Sequence, residues 1–231
     1  MFFPELIRSI GPKDRVLEVG PGGTPFPRAD VLLDRIFPDE DHARKQRGGL
    51  DNINAEKKVV FYDGGQFPFK DNEFDYVVCS HVIEHVVDVE FFLSELSRVA
   101  PRGYIEYPTI YYEYLYNFSV HVNFVKYKNN RLHYLAKKDT TFNEFLPVQK
   151  FFYRSLEMGY SQLADAFKHI MFEGFEWRGV ILVARATSIS DLVFDELVVP
   201  KYQEEKAFLT GRISDRIKKM IMKVCRNRAR W

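Results

Sequence analysis

The chain has 231 residues, 46% of them hydrophobic and 28% charged, with a formal net charge of +1. That length suits one substantial domain with an appendage, the composition excludes a disordered chain, and the near-neutral balance points to no acidic partner for the chain as a whole. Two cysteines, Cys79 and Cys225, form neither a disulfide framework nor a four-ligand zinc site, and they fit a reducing cytosol.

The opening residues, "MFFPELIRSIGPKD", lack the basic leader and apolar core of a signal peptide, so a cytoplasmic location is expected. "RVLEVG" (15–20) is a β-branched run stopped by glycine and reads as a buried strand. "DVLLD" (30–34) and "KVVFYD" (58–63) read as the second and third strands, each ending on an acid. "FDYVVCS" (74–80) is the fourth, and "GYIEYP" (103–108), stopped by proline, is the fifth. Between the last two, Val89, Phe92, Leu93, Leu96 and Val99 recur at helical spacing and Pro101 stops the helix. After Pro108 the chain turns tyrosine-rich, with Tyr107, Tyr111, Tyr112, Tyr114 and Tyr116. A hairpin is predicted at Asn129-Asn130, a pair that tolerates positive φ. "FFYRSLEMGYSQLADAFKHI" reads as helix, "FEWRGVILVARA" as the last, antiparallel part of the sheet, and the chain from about Lys201 as a charged helix. The purest apolar run, "VILVA" (180–184), is far too short to cross a bilayer.

Continuous apolar strands alternating with helical stretches predict an α/β fold. The expected form is a doubly wound, mainly parallel seven-stranded sheet with helices on both faces. A substrate-cap insertion follows the fifth strand, and a helix closes the chain. The expected boundaries are 1–200 for the main domain, with the cap at 109–171, and 201–231 for the C-terminal helix. In such sheets ligands bind at the carboxyl ends of the strands. Those ends carry, in order, a glycine loop, Asp34, Asp63, "SHVIEHV" (80–86) and "YPT".

The glycine loop separates two ligand classes. A dinucleotide fingerprint needs G-x-G-x-x-G opening a long helix. From Gly20 the second glycine is Gly22, but Pro25 holds the third place. Only Gly23 to Ala29 separate Gly22 from the second strand, which leaves little room for a helix to receive a pyrophosphate. A nicotinamide-dependent oxidoreductase is therefore the weaker alternative. A ligand with a ribose, an amino group and a cationic centre suits the site better. Asp34 would accept from ribose hydroxyls, Asp63 with Gly64 would meet an adenine edge, and Glu18 would place negative charge near the cation.

"SHVIEHV" poses a separate question, because His81, Glu84 and His85 have the H-x-x-E-H spacing of an inverted zinc-peptidase motif. That chemistry needs a long helix and a third, distal ligand, and it leaves the glycine loop unexplained.

Taken together, "VLEVGPGG", "VLLD" and "FYDGGQFPFKDNEFDYVVCSHVIEHV" resemble the motifs of class I S-adenosylmethionine-dependent methyltransferases with small-molecule acceptors. The likeness runs over about residues 14–108 and, at strand level, to about 186. It implies that Glu18, Gly20, Pro21, Gly22, Gly23, Asp34, Asp63, Gly64, Ser80 and His81 hold S-adenosylmethionine, with S-adenosylhomocysteine as product. It also implies that His81, Glu84 and His85 lie on the acceptor side. In some members that look like this, residues at these positions and a histidine after the fifth strand hold a divalent metal. Here the set would be His81, Glu84, His85 and His121. Two other readings stand beside the metal: structural hydrogen bonding by Glu84 and His85, and a metal-free general base at His81 or His85. One departure is plain: "TPFPRAD" stands where the family has its first helix, which opens the question of how the methionine end of the cofactor is enclosed.

The expected acceptor is a small molecule, most simply a hydroxyl of a sugar or glycan precursor or another metabolite. The tyrosine cluster suits such a ring, or ordinary packing of a cap. A non-catalytic cofactor-binding scaffold is a further alternative. In the tail, Arg212, Arg216, Lys219, Lys223, Arg226 and Arg230 form a basic stripe beside an apolar one of Ile213, Ile217, Met220, Ile221 and Val224. Such a helix suits an anionic membrane surface, a protein partner or its own domain; nucleic acid fits least, since the excess charge is confined to the tail.

Overall fold

The computed structural model describes residues 1–46, 57–159 and 167–194. The chain divides into units Met1–Val193 and Phe194–Trp231, and all elements below belong to the first. The expected C-terminal helix lies outside the described residues.

The main sheet is built from β1 (Val16–Val19), β2 (Val31–Arg35), β3 (Lys58–Tyr62), β4 (Tyr76–Ser80), β5 (Arg102–Pro108) and β8 (Phe172–Arg178), in the order β3-β2-β1-β4-β5-β8. The first five run parallel, and β8 pairs antiparallel with β5. β1 and β4 are buried over almost their whole length, which is why their sequences read as apolar runs, interrupted in β1 only by the buried Glu18. The order reverses between β1 and β4, so the crevice at their carboxyl ends is the expected binding position. Register places Ser80 beside Glu106. Gly103 is required by close approach, since a Cβ there would lie 2.4 Å from the Val77 carbonyl oxygen.

α2 (Val89–Val99) covers one face of the sheet. The Asp88 side chain caps it by accepting from the Phe91 N–H at 3.0 Å, and its apolar stripe packs on Leu17, Leu33, Val77 and Ile105. It ends at Val99, ahead of Pro101 as expected. The opposite face, at Val16, Tyr76, Val78 and Tyr104, is covered by Leu6, Ile7, Ile10 and Phe26. The N-terminal segment and the 21–29 loop thus stand where helices were expected on that face. Helices on both faces are not seen among the described residues. A short α1 (Glu40–Gln46), absent from the sequence reading, follows β2.

The seven-stranded sheet expected from sequence has six strands among the described residues. β6 (Asn123–Lys128) and β7 (Arg131–Ala136) form the predicted hairpin, with Asn129 and Asn130 at φ 53° and 57°. β9 (Val183–Arg185) pairs with β7 rather than with the main sheet, making a separate three-stranded sheet. Gly179, at φ 69°, turns the chain after β8. α3 (Ile110–Tyr116) carries most of the tyrosine cluster. The helix predicted after Lys150 is broken in the structure. α4 (Leu146–Glu157) stops before Gly159, at φ 85°, and α5 is the short turn Lys168–Met171.

Candidate functional site

A cleft of about 1870 Å³ opens at the carboxyl ends of β1, β2 and β4, room for two ligands side by side. Glu18, Gly20, Pro21, Gly22, Gly23, Asp34, Gly64, Ser80, His81, Glu84, His85 and His121 all line it. Gly20 holds φ 67°, and a Cβ there would sit 2.3 Å from Val82 Cγ2, so the turn after β1 admits only glycine. Gly22, at φ 59°, faces open space and leaves its backbone accessible. Asp63 departs from the expectation. Its carboxylate accepts from the Gly65 N–H at 2.9 Å, closing its own turn, and it does not line the cleft where Gly64 and Gly65 do.

Glu18 is buried and its carboxylate accepts from the Phe26 N–H at 2.7 Å. Burial pushes its pKa up to about 7, with Phe26 and the Lys57 charge pulling the other way. A cationic ligand would favour its ionised form.

Beside the glycine loop, the turn after β4 carries a chain of paired charges. His81 has φ 57°, a rare conformation for a residue with a side chain. Its N–H donates to the Glu106 carbonyl at 2.8 Å, and its Nε2 lies 3.1 Å from Glu106 Oε1. Its Nδ1 is 3.5 Å from Glu84 Oε1, close enough for ion pairing. Burial opposes its charge, but the two carboxylates prevail and raise its pKa to about 9. His81 is therefore protonated at neutral pH and does not fit the part of general base considered for it.

Glu84 sits on the 3₁₀ turn Ile83–His85, fully buried, and neither carboxylate oxygen has a hydrogen-bond partner. Burial raises its pKa, yet the surrounding histidines hold it down at about 2. The Glu84 carbonyl accepts from the Val122 N–H at 2.7 Å, drawing the 118–122 loop against the turn. His85 Nδ1 meets the Val120 carbonyl at 3.1 Å, an arrangement that puts the proton on Nδ1 and leaves the Nε2 lone pair free. Burial depresses the His85 pKa to about 4, so the ring is neutral. His121 Nδ1 is held by Glu113, which also pairs with Lys137. Donor atoms of Glu84, His85 and His121 all lie within 4.8 Å of one another. His81 does not join this trio.

Sequence reading missed Glu106, Glu113 and Lys137, which orient the histidines. It also missed Phe2, Phe118, Tyr153 and Phe172, which line the cleft. A usable signal existed for Glu106: an acid inside an otherwise apolar strand. Of the tyrosine cluster only Tyr112 faces the cleft. Tyr107 is buried, donating to Glu173 at 2.8 Å.

A family model described as a methyltransferase domain matches residues 38–105, from just after β2 through most of β5. Over that segment the chain is similar to methyltransferase domains. The glycine loop and Asp34 precede the matched segment. Among solved structures, this chain is similar to an S-adenosylmethionine-dependent methyltransferase from Thermotoga maritima described as a possible histamine N-methyltransferase. Identity is 23% over 46% of this chain and 49% of that one, with a TM-score of 0.32. It is also similar to a putative methyltransferase from Bacillus halodurans, with 22% identity over 48% of this chain and 55% of that one and a TM-score of 0.36. An S-adenosylmethionine-dependent methyltransferase from Mesorhizobium loti shows 12% identity over 75% of this chain and 94% of that one, with a TM-score of 0.41. The chain spans about half the length of the first two. No curated protein matches it. Among the described residues no helix is long and apolar enough to cross a membrane.

Proposed function

We propose that this chain transfers the methyl group of S-adenosylmethionine to a hydroxyl oxygen of a small, ring-bearing acceptor such as a sugar or a phenol. The observation that carries the acceptor side is Glu84, a buried carboxylate without a hydrogen-bond partner, flanked by the neutral His85 and by His121. A buried carboxylate with no hydrogen-bond donor is costly even beside an ion-pair partner, and such groups gather where they serve a ligand. Phe2, Phe172, Tyr112, Phe118 and His121 form a continuous array of stacked and tilted rings along the same cleft, which suits a ring.

In the reaction the acceptor oxygen forms a bond to the methyl carbon while the carbon–sulfur bond breaks and its electron pair stays on sulfur. S-adenosylhomocysteine leaves uncharged at sulfur, and the hydroxyl proton must go to the protein. The hydroxyl donates to His85 Nε2, the neutral nitrogen that takes the proton, and Glu84, held ionised beside it, stabilises the imidazolium that results. In-line alignment of oxygen, carbon and sulfur between the glycine loop and the Ser80–His85 turn supplies the rest of the acceleration.

The same three residues fit a divalent cation. They offer one carboxylate and two imidazoles, and each imidazole is fixed through its Nδ1, by Val120 and by Glu113, the outer support typical of metal ligands. A bound ion would lower the pKa of an acceptor hydroxyl. Calorimetric titration with S-adenosylhomocysteine and with NAD, followed by elemental analysis of protein purified without chelator, tests the reading. Binding of NAD in place of S-adenosylhomocysteine would defeat it.

A further inference from the structure

The missing first helix leaves the methionine end of the cofactor site in need of a cover, and the N-terminal residues lie where one is needed. The N-terminal segment is first tied down at Glu176. Its Oε1 accepts from the Arg8 N–H at 3.1 Å, the Ser9 N–H at 3.0 Å and the Ser9 hydroxyl at 2.7 Å. Past the 3₁₀ turn Pro4–Leu6, the chain reaches Glu106. There the Phe2 N–H donates to Oε1 at 2.8 Å and the Phe3 N–H to Oε2 at 2.9 Å. The Ser80 hydroxyl at 2.9 Å, His81 Nε2 at 3.1 Å and the Tyr104 hydroxyl at 2.8 Å share the same carboxylate.

Glu106 is thus a fully buried carboxylate bound by five donors from three segments: residues 2 and 3, the end of β4 with the residue after it, and β5 itself. The Phe2 ring stacks on Phe172 with centroids 3.8 Å apart and meets His81 edge-on at 5.4 Å. Phe3 is buried against Met171 and Phe172. Met1, Phe2 and Pro4 line the same cleft as Glu18 and the glycine loop.

We propose that Glu106 is a positioning residue that latches residues 1–3 as a strap across the cleft, and that this strap must release for cofactor to enter and product to leave. The inference rests on the cofactor assignment above. Glu106 acts through its neighbours: it fixes Ser80 and His81 at the cofactor–acceptor boundary and closes the side that the family's first helix would close. A neutral isostere, Glu106→Gln, keeps the shape but weakens the latch. The substituted amide would offer one acceptor oxygen, and its NH₂ group would face N–H or O–H donors already present.

The experiment compares the full chain with Glu106→Gln and with a variant lacking residues 1–3, using S-adenosylhomocysteine as the probe. Stopped-flow dissociation should quicken about tenfold or more in both variants, the order expected when charge-assisted hydrogen bonds are removed. The equilibrium constant should move less, because entry quickens too. Amide exchange of Phe2 and Phe3, read by NMR, should quicken about tenfold in Glu106→Gln without ligand. Unchanged exchange would show that Glu106 is not the latch, and unchanged dissociation in both variants would show that the strap is not the gate. Should Glu106→Gln fail to fold, the deletion variant decides the gate and the protection of the two amides in the parent chain decides the latch. If the parent chain binds no S-adenosylhomocysteine at all, the cofactor assignment falls and this inference with it. Binding with unaltered rates overturns this inference alone.

Discussion

Under the proposed cofactor assignment, Glu18 makes cofactor affinity depend on pH in a calculable way. Its carboxyl group is buried and its pKa is raised from 4.5 to about 7. That rise is worth about 3 kcal/mol against the ionised form. The folded pKa lies above the unfolded one, so the folded state holds a proton that the unfolded state has lost between these values. Glu18 alone therefore makes the free protein less stable as pH rises through that window. A cation-bearing cofactor has the opposite demand, since it binds best when Glu18 is ionised. At pH 6 about a tenth of the free protein carries that charge, so affinity for S-adenosylmethionine should fall about tenfold from its value above pH 7. By pH 5 it should fall about a hundredfold. Calorimetry in buffers of different ionisation enthalpy reads this directly, with close to one proton released per cofactor at pH 6 and none from Glu18 at pH 8. Glu18→Gln should bind more weakly above pH 7 and lose the dependence. A flat affinity between pH 5.5 and 7.5, or a slope that survives in Glu18→Gln, would refute the reasoning.

Three further outcomes are expected. Asp34→Ala should weaken S-adenosylhomocysteine binding by about 1–3 kcal/mol in a folded variant, the range for a buried polar group deprived of its partner, and unchanged calorimetric affinity would remove Asp34 from the ribose site. Glu84→Gln should abolish methyl transfer and, if an ion is held, lower the metal content of protein purified without chelator, while cofactor affinity stays within a few fold. Gly103→Ala drives a Cβ toward the Val77 carbonyl at 2.4 Å, and should cost about 1–3 kcal/mol by urea denaturation as overpacking does; no loss would mean that β4 and β5 can part freely.

β1, β2, β4 and β5 were legible because burial on both faces keeps them mainly apolar, and β3, partly exposed at the sheet edge, was legible from its β-branched and aromatic residues. α2 was legible because its apolar stripe, its Asp88 cap and Pro101 all agree. The hairpin was legible from Asn129-Asn130. The fate of Val183–Arg185 was not. Three residues carry too little pattern to choose between β8's sheet and β7, and the choice is made by the turn at Gly179 and by pairing with Leu132–Tyr134. Among site residues, the glycine loop, Asp34, Ser80 and the Glu84–His85 pair stood out because they close apolar strands at the carboxyl end of the sheet. Asp63 stood out for the same reason but serves its own turn, since an aspartate two residues before an accessible N–H closes on it locally.

The histidines show where residue type alone misleads. His81, His85 and His121 are the same side chain within a few ångströms, yet burial and partners give them different work. His81 sits between two carboxylates, and its left-handed backbone is held by the Glu106 carbonyl, so it is a cation that joins Glu106 to Glu84. His85 has only a carbonyl on Nδ1 and is kept neutral by burial, so its Nε2 can meet a proton or an ion. His121 is held on Nδ1 by Glu113, itself paired with Lys137. The difference is written in Glu106 and Glu113, two acids hidden in apolar stretches of β5 and α3. Replacing either should therefore disturb the site without touching any residue of the H-x-x-E-H motif. Glu113→Gln, which keeps the shape but weakens the hold on His121, should lower turnover or metal content while leaving S-adenosylhomocysteine affinity within about twofold. Glu106→Gln should change cofactor exchange instead. If both variants gave the same kinetic fault, the division of labour between the two acids would be wrong.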